Sequence, residues 1–417
     1  MSALALAPVP APTPSWRTDR LPQLRARVLG GGPTGALTAL ALAQAGWRVQ
    51  LIDPLSGSQL QARRRAYALS HSSRMFLQRL GLWELLSEVA VPFRSLRLCD
   101  LEAGRAIGFG LDDVGSGGTR ADGAEAVGWI LQHQPLMQRL LEQLEAHAGI
   151  SLSLGDVASP GGNAESSGSA GPQLPDLLVA ADGSASPTRR SAGIRRWRLP
   201  YAQACLTAQV RLRGSAPDQA WELFRREGPF AVLPLGDGTT QLVWSAPAER
   251  LGRLEALDPV AFLDALATAL PERLQPEALL ERPRAFPVAL ELARRFHRGS
   301  LALVGEAAHR CHPVGGQGMN LCWRDVEELQ RQALRAAAGE LPPAAVAAAY
   351  GRRRWADVLL TLLFTDLLVR IFSNRQPLLL SCRRLALDLM ARSRSLRHLS
   401  LKAMTLGPCR LPSRWSQ

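Results

Sequence analysis

Lysine is nearly missing from this chain: Lys402 stands alone among 49 basic side chains. The formal charge of +13 therefore rests on arginines. These are scattered and accompany no readable nucleic-acid module, so the charge does not indicate a phosphate polymer as partner; an anionic surface is the better candidate. The six cysteines show no CxxC spacing and no histidines at zinc-finger intervals. That excludes a metal centre and a disulfide framework as sequence expectations and points to a reducing, intracellular compartment, read as cytoplasmic. Long uncharged hydrophobic runs are missing as well. Residues 355–371 are rich in Leu, Val and Phe but carry Asp357 and Asp366, and residues 378–390 carry Arg383 and Arg384. Neither segment suits a bilayer-spanning helix. They read first as core helices and second as an interfacial patch peripheral to a membrane. The first 22 residues are Ala/Pro-rich, lack the features of an export signal, and read as a disordered extension. No internal repeat is visible.

What the chain has instead is glycine at the ends of apolar strands. Arg27, Val28 and Leu29 run into Gly30, Gly32 and Gly35 in GxGxxG spacing, with Pro33 and Thr34 between, and a small-residue helix follows to Ala45. The first glycine permits a tight turn, the second lets the backbone approach a pyrophosphate, and the third allows close helix packing. A second strand at 48–52 ends in Asp53, at the position from which an acidic side chain holds adenosine ribose hydroxyls. Strand, glycine turn, helix, strand and acid in that order predict a dinucleotide-binding unit.

Two later segments repeat the theme. Residues 177–181 form an apolar strand that exits through Asp182 and Gly183 into a basic turn containing Arg189. Residues 300–304 read as a buried strand and 320–334 as a helix, so Gly305, Glu306, Pro313, Gly315, Gly316, Gln317, Gly318, Met319 and Asn320 lie where a strand hands over to a helix. A bare helix N-terminus presents free amides and a partial positive charge. Cys311 and Cys322 read as small buried thiols. His309 and His312 read as loop residues held by backbone bonds, not as proton relays.

Together these segments resemble the class A FAD-dependent aromatic monooxygenases, and among them the hydroxylases of ubiquinone biosynthesis. Residues 65–70 (RAYALS), 227–236 (EGPFAVLPLG), 350–357 (YGRRRWAD) and 372–374 (FSN) are similar to stretches of that family. The resemblance covers nearly the whole chain after residue 24. It implies an α/β fold (α+β overall). A Rossmann-like FAD/NAD(P)-binding domain would occupy 23–95, 125–200 and 290–335, and a mostly antiparallel β-sheet substrate domain would be inserted at 96–124 and 201–289. A helical region at 336–417 would follow.

The resemblance implies FAD as cofactor and NAD(P)H and O2 as co-substrates. A flavin hydroperoxide would be attacked by an electron-rich ring, prenylated phenol or quinone precursor, so that the cofactor carries the hard step. Carried over by position, Gly30, Gly32, Pro33, Thr34, Gly35 and Asp53 would hold the adenosine diphosphate, with Arg65 beside them, and Gln134 belongs to the same cofactor set. Asp182, Gly183 and Arg189 form the middle motif. Glu306 stands at the ribityl chain, and Pro313, Gly316, Gln317, Gly318, Met319 and Asn320 border the ring. Pro313, Gly316 and Gln317 are the catalytic loop, acting through backbone with no side-chain base. Three positions depart from the family pattern: Glu306 where Asp is usual, Ala181 where Gly is common, and Gln134 where Arg is frequent. Two other functions stay open on these residues, a flavin-dependent polyprenyl-lipid reductase and a non-catalytic, membrane-associated flavin-binding protein.

The remaining segments give strands at 205–210, 230–235 and 241–245, with a hairpin turn at Gly236, Asp237 and Gly238. Phe224, Phe230, Leu233 and Trp244 are candidates for an apolar substrate pocket. Residues 115–123 and 159–172 read as Gly/Ser-rich surface loops.

Overall fold

A six-stranded sheet gathers strands from both halves of the chain, in the order His297–Arg298, Leu301–Leu303, Leu177–Ala180, Arg25–Leu29, Arg48–Asp53, Ile150–Leu154. The computed structural model describes residues 23–114, 126–155 and 174–407; the expected extension at 1–22 and the expected loops at 115–123 and 159–172 lie outside the described residues. All strands of this sheet run parallel except His297–Arg298. Its middle is apolar because both faces are covered: Val28, Leu51, Val179 and Leu303 are fully buried. The helix Pro33–Gln44 is almost entirely buried and built of Ala, Leu and Thr. Such small side chains let it lie between the sheet and the long helix Gln317–Ala337. Two side-chain bonds fasten that contact, from Trp47 Nε1 to the Ala333 carbonyl at 3.1 Å and from Gln330 Nε2 to the Ala41 carbonyl at 3.2 Å.

A second sheet of eight strands runs His309–Arg310, Gln275–Ala293, Arg196–Arg213, Thr239–Pro247, Gly228–Gly236, Gln219–Arg225, Ser95–Asp100, Arg105–Phe109. It is antiparallel apart from the pairing of Gln219–Arg225 with Ser95–Asp100. The three strands expected at 205–210, 230–235 and 241–245 are central in it, and Asp237, in the left-handed region at φ 51°, makes the hairpin turn with Gly236 and Gly238. The expected boundaries at 200/201 and 289/290 fall inside Arg196–Arg213 and Gln275–Ala293. These two strands, 18 and 19 residues long, pair along their length and carry the chain continuously from one sheet region to the other. A three-stranded sheet, Ala66–Leu69, Gly128–Gln132 and Ala90–Phe93, joins the two larger ones.

The helices Val346–Phe372, Pro377–Arg392 and Arg394–Leu406 close the structure. Tyr350 pins the first of them to the parallel sheet by donating to the Leu303 carbonyl at 2.8 Å. No helix among the described residues is long and apolar enough to cross a membrane.

Candidate functional site

The C-terminal ends of the parallel strands, the inner face of the eight-stranded sheet and the closing helices enclose one cavity of about 1690 Å³. Sites for single drug-sized ligands span roughly 300–1,000 Å³, so this volume suits a large cofactor together with a second molecule. Three glycine turns shape its floor, and each has a different physical reason.

At the first turn, a Cβ on Gly35 would lie 1.7 Å from the Gly30 carbonyl oxygen, and one on Gly30, itself at φ 106°, would lie 2.4 Å from the Ala181 carbonyl oxygen. Both are packing glycines that let helix, turn and neighbouring strand touch. Gly32 differs: a Cβ there would meet nothing within 4 Å, and the residue lines the cavity with Pro33 and Thr34. It is the N-cap of Pro33–Gln44, a helix start with no side-chain cap. Bare backbone and helix dipole therefore face open space, a natural seat for an anion.

At the second turn, Asp182 and Gly183 line the cavity. One carboxylate oxygen of Asp182 accepts from the Thr188 amide at 3.1 Å, while the other, Oδ1, is buried without a protein partner among the described residues. An orphaned buried acceptor at a cavity wall is unfavourable without a ligand donor.

At the third turn, Glu306, Pro313, Gly315, Gly316, Gly318 and Met319 line the cavity, with the Glu306 side chain exposed. Gly315 and Gly316 both have left-handed φ, 65° and 63°, and a Cβ on Gly316 would sit 2.8 Å from that of Ala68. The helix Gln317–Ala337 starts here, again without a side-chain cap.

A buried ionic network holds this loop from behind. Asp325 accepts from the Gly305 amide at 2.9 Å, from His309 Nε2 at 2.6 Å and from Arg354 Nε at 2.7 Å. Arg354 also donates to Asp357 at 2.6 Å, which Arg324 meets at 2.9 Å. Burial acts to raise the Asp325 carboxyl, but His309 and Arg354 hold it down at about 2. His309 is thus tied to a carboxylate behind the wall. His312 is fully buried and pushed down to about 4 by burial, its Nδ1 accepting from the Val314 amide at 3.2 Å.

Several residues predicted for the site stand behind the wall. Asp53 does not line the cavity: one carboxylate oxygen accepts the Gly31 amide at 2.6 Å and the other the Leu55 amide at 2.8 Å. Its short side chain ties its own turn to the first glycine turn. Gln134, the second residue of the helix His133–Ala146, is exposed and outside the cavity lining. Arg189 is buried and spends its guanidinium on the carbonyls of Ser184 and Ala307, joining the second turn to the third. Gln317 bonds to the Gly315 and Met404 carbonyls, both at 3.1 Å. Asn320 donates to the Ala68 and Gly316 carbonyls and accepts from Ser70 and Ser73. These two amides brace the loop and do not face the cavity. Phe230 and Trp244 stack on each other with centroids 4.8 Å apart in the core on the opposite face of the sheet, because strand alternation turns them away from Phe224 and Leu233, which do line the cavity.

Residues that sequence reasoning missed complete the wall. Arg63 and Arg64 line the cavity with Arg65, as do Arg284, Arg310 and Tyr67, whose hydroxyl shares a hydrogen bond of 2.7 Å with His133 Nδ1. The triplet of arginines was visible as charge, but no spacing singled it out. Phe364, Leu368, Phe372, Leu387 and Leu399 bring the closing helices into the wall.

Of the three thiols that line the cavity, Cys311 and Cys322 are buried and Cys382 is exposed. Burial pushes Cys311 up to about 12 and Cys322 up as well. We expect brief maleimide treatment at neutral pH to label the exposed Cys382 and to leave Cys311 and Cys322 unmodified; peptide mass spectrometry checks this.

The family model described as "FAD binding domain" matches residues 23–154 and 163–356. The 3-demethoxyubiquinol 3-hydroxylase of Escherichia coli K12 is 31% identical over 399 residues, covering 90% of this chain and 96% of the relative. Ubiquinone hydroxylase UbiL of Rhodospirillum rubrum is also 31% identical, over 91% of this chain and 90% of its own. Among solved structures, p-nitrophenol 4-monooxygenase PnpA of Pseudomonas putida DLL-E4 superposes with a TM-score of 0.72 at 18% identity, covering 92% of this chain and 98% of that one.

Proposed function

The chain belongs to the FAD binding domain family and to its FAD-dependent monooxygenases, and from that premise we infer that it hydroxylates the ring of a phenolic quinone precursor with NAD(P)H and O2. The observation that carries this reading is the cavity with three glycine turns on its floor and an apolar sheet face above them. The residues present fit FAD: Gly32 leaves a cradle that any Cβ would fill, Asp182 offers an orphaned buried acceptor, and two uncapped helix N-termini face the same space.

Gly32, Pro33, Thr34 and Arg65 would hold the diphosphate, with Arg63 and Arg64 adding positive potential. Asp182, Gly183 and Glu306 would meet the ribityl chain; the extra methylene of Glu306 leaves its carboxylate free to reach into the cavity. Pro313, Gly316, Gly318 and Met319 would border the ring. Gly30, Gly35, Asp53, Arg189, Gln317 and Asn320 shape and brace those elements from behind. When bound, the cofactor passes two electrons from the nicotinamide to dioxygen, so that one oxygen atom enters the substrate and the other leaves as water. The amides at the start of Gln317–Ala337 would present a fixed positive potential to the ring and stabilise negative charge on it without reorganising. Phe224, Leu233, Leu98 and Phe372 exclude water on the substrate side.

The test is a coupled assay. FAD-loaded protein should oxidise reduced nicotinamide faster when a polyprenylated phenol is added, with oxygen consumed in equal amount and hydroxylated product formed. Nicotinamide oxidation that the phenol does not stimulate, or that consumes no oxygen, contradicts the reading.

We propose contact with a membrane surface, supported by exposed apolar residues on the closing helices. Phe364 and Leu399 line it while remaining 41% and 53% exposed, and Leu363, Leu367, Leu378, Leu385 and Leu389 are exposed on the same three helices. Arg392 and Arg394 are exposed nearby. An apolar surface with basic neighbours favours an anionic interface, from which a polyprenyl tail would enter. Flotation on vesicles containing anionic lipid should carry the protein upward, and L378S/L385S/L389S should abolish this; equal flotation of the variant dismisses the contact.

A further inference from the structure

Glu222 is a buried carboxylate on the cavity face of the eight-stranded sheet. The register sets it in one rung: Leu98 and Ala231 are its partners on either side, Val243 is opposite Ala231, Thr207 opposite Val243, and Arg284 opposite Thr207. Every member of that rung lines the cavity. Glu222 is only 9% exposed, and no salt bridge involves it among the described residues. The amide of Gly315, in the third glycine turn, is near enough to favour the charged form of Glu222. A carboxyl set among Leu98, Ala231 and Val243 without an ion-pair partner is costly to charge, and this one faces the cavity.

We propose that Glu222 is the general base of the hydroxylation, taking the hydroxyl proton of a phenolic ring laid between the eight-stranded sheet and the third glycine turn. The proposal rests on the monooxygenase reading above. The phenol O–H bond breaks, the proton passes to a carboxylate oxygen of Glu222, and the electron pair stays on the phenolic oxygen. Electron density rises at the ortho and para carbons, one of which forms its bond to the oxygen atom derived from dioxygen. The electrons come from the nicotinamide donor, the second oxygen atom leaves as water, and the displaced ring hydrogen leaves as a proton. Glu222 then returns its proton to the product phenolate.

The environment suits this task. Burial pushes the Glu222 carboxyl up to about 8, so transfer from a phenol of ordinary acidity near ~10 is uphill by about two pH units, against about six for an ordinary carboxylate. The other charged or titratable groups that line the cavity or pack on the surrounding elements include Glu281, whose carboxyl is raised by burial, Glu306, the guanidiniums of Arg63, Arg64, Arg65, Arg284 and Arg310, which stay charged, the pair Asp100 and Arg383 at 3.0 Å, Cys205 and Cys311, both pushed up to about 12, and His312, pushed down to about 4. These two thiols and the imidazole thus change charge outside the range in which Glu222 does, and the E222Q variant separates Glu222 from Glu281.

The experiment uses full-length FAD-loaded wild type, E222Q and E222D. The affinity for a prenylated phenol and for its methyl ether is read from the flavin absorbance between about pH 6 and 9, and hydroxylation is read in a single turnover. In the wild type, affinity for the phenol should rise as pH passes about 8, while that for the ether stays flat. E222Q should keep FAD, lose the pH limb, and hydroxylate about 10²- to 10⁴-fold more slowly, with reduced nicotinamide diverted to hydrogen peroxide. E222D should retain the limb. An E222Q protein with the wild-type rate and pH profile overturns the base while leaving the monooxygenase reading intact. A wild type that binds FAD but makes no hydroxylated product overturns both.

Discussion

Gly32→Val is expected to leave the apoprotein within about 0.5 kcal/mol of wild-type stability while lowering FAD affinity at least ~100-fold, or about 2.8 kcal/mol. Gly32 has φ −65° and ψ 179°, a conformation open to any residue, and its Cβ direction is empty to 4 Å. A valine therefore strains nothing in the protein itself. It occupies the space in which a diphosphate must approach the start of Pro33–Gln44. Gly35, three residues on, gives the opposite result. A Cβ 1.7 Å from the Gly30 carbonyl oxygen forces helix and turn apart, so Gly35→Val should destroy folding as well as binding. Thermal melts with FAD titration by fluorescence separate the two, and equal FAD affinity in Gly32→Val would remove the pyrophosphate role of this turn.

Asp325→Asn should destabilise the protein by about 3–5 kcal/mol, because it leaves the Arg354 guanidinium buried without a principal partner. Arg354 donates to both Asp325 and Asp357, and Asp325 also holds the Gly305 amide and His309. The loss therefore reaches the ring loop through Gly305 as well as the closing helices through Arg354. The folded carboxyl sits at about 2, below its ordinary 3.8, so its contribution is complete above that ordinary value and disappears as pH falls toward 2. Wild type should lose stability across that acidic window, and Asp325→Asn should lack this component. Urea titrations at stepped pH measure both, and a variant as stable as wild type at neutral pH would show that the network does not brace the loop.

The parts of this site that were legible in the sequence are those fixed by backbone. Gly32, Gly183, Gly316 and Gly318 reach the cavity because a glycine turn at the end of a parallel strand has few conformations, and strand and helix periodicity locate such turns. Side-chain destinations were harder. Asp53, Arg189, Gln317 and Asn320 each had a backbone group within reach in the fold, often one distant in sequence, and bonds of 2.6 to 3.2 Å took them. Whether a polar side chain serves its own turn or a ligand depends on a few tenths of an ångström, which residue type does not specify. Of the four candidate pocket residues, Phe230 and Trp244 fall on the core face and Phe224 and Leu233 on the cavity face; which face a strand residue takes becomes definite only once neighbours pair. Glu222 escaped notice for a related reason. A lone acid alternating with Trp221 and Leu223 looks like the solvent face of a strand until Ser95–Asp100 and Gly228–Gly236 are seen on its two sides.

The closing helices were ambiguous in sequence for a reason that the structure explains. Val358, Leu362 and Val369 are buried in the molecule, while Leu363 and Leu367 on the same helix are exposed. One helix thus supplies core on one side and an apolar outer surface on the other, so hydrophobicity alone could not divide the two roles.

The central claim, that this chain places one atom of dioxygen into a phenolic ring at the cavity between the glycine turns and the eight-stranded sheet, is tested most directly with isotope. FAD-loaded protein is given reduced nicotinamide, a polyprenylated phenol and ¹⁸O₂, and the product is analysed by mass spectrometry. Incorporation of one ¹⁸O atom per hydroxylated product, with none from labelled water, is the expected result. A product whose new oxygen comes from water, or a reduced product without new oxygen, would contradict the account.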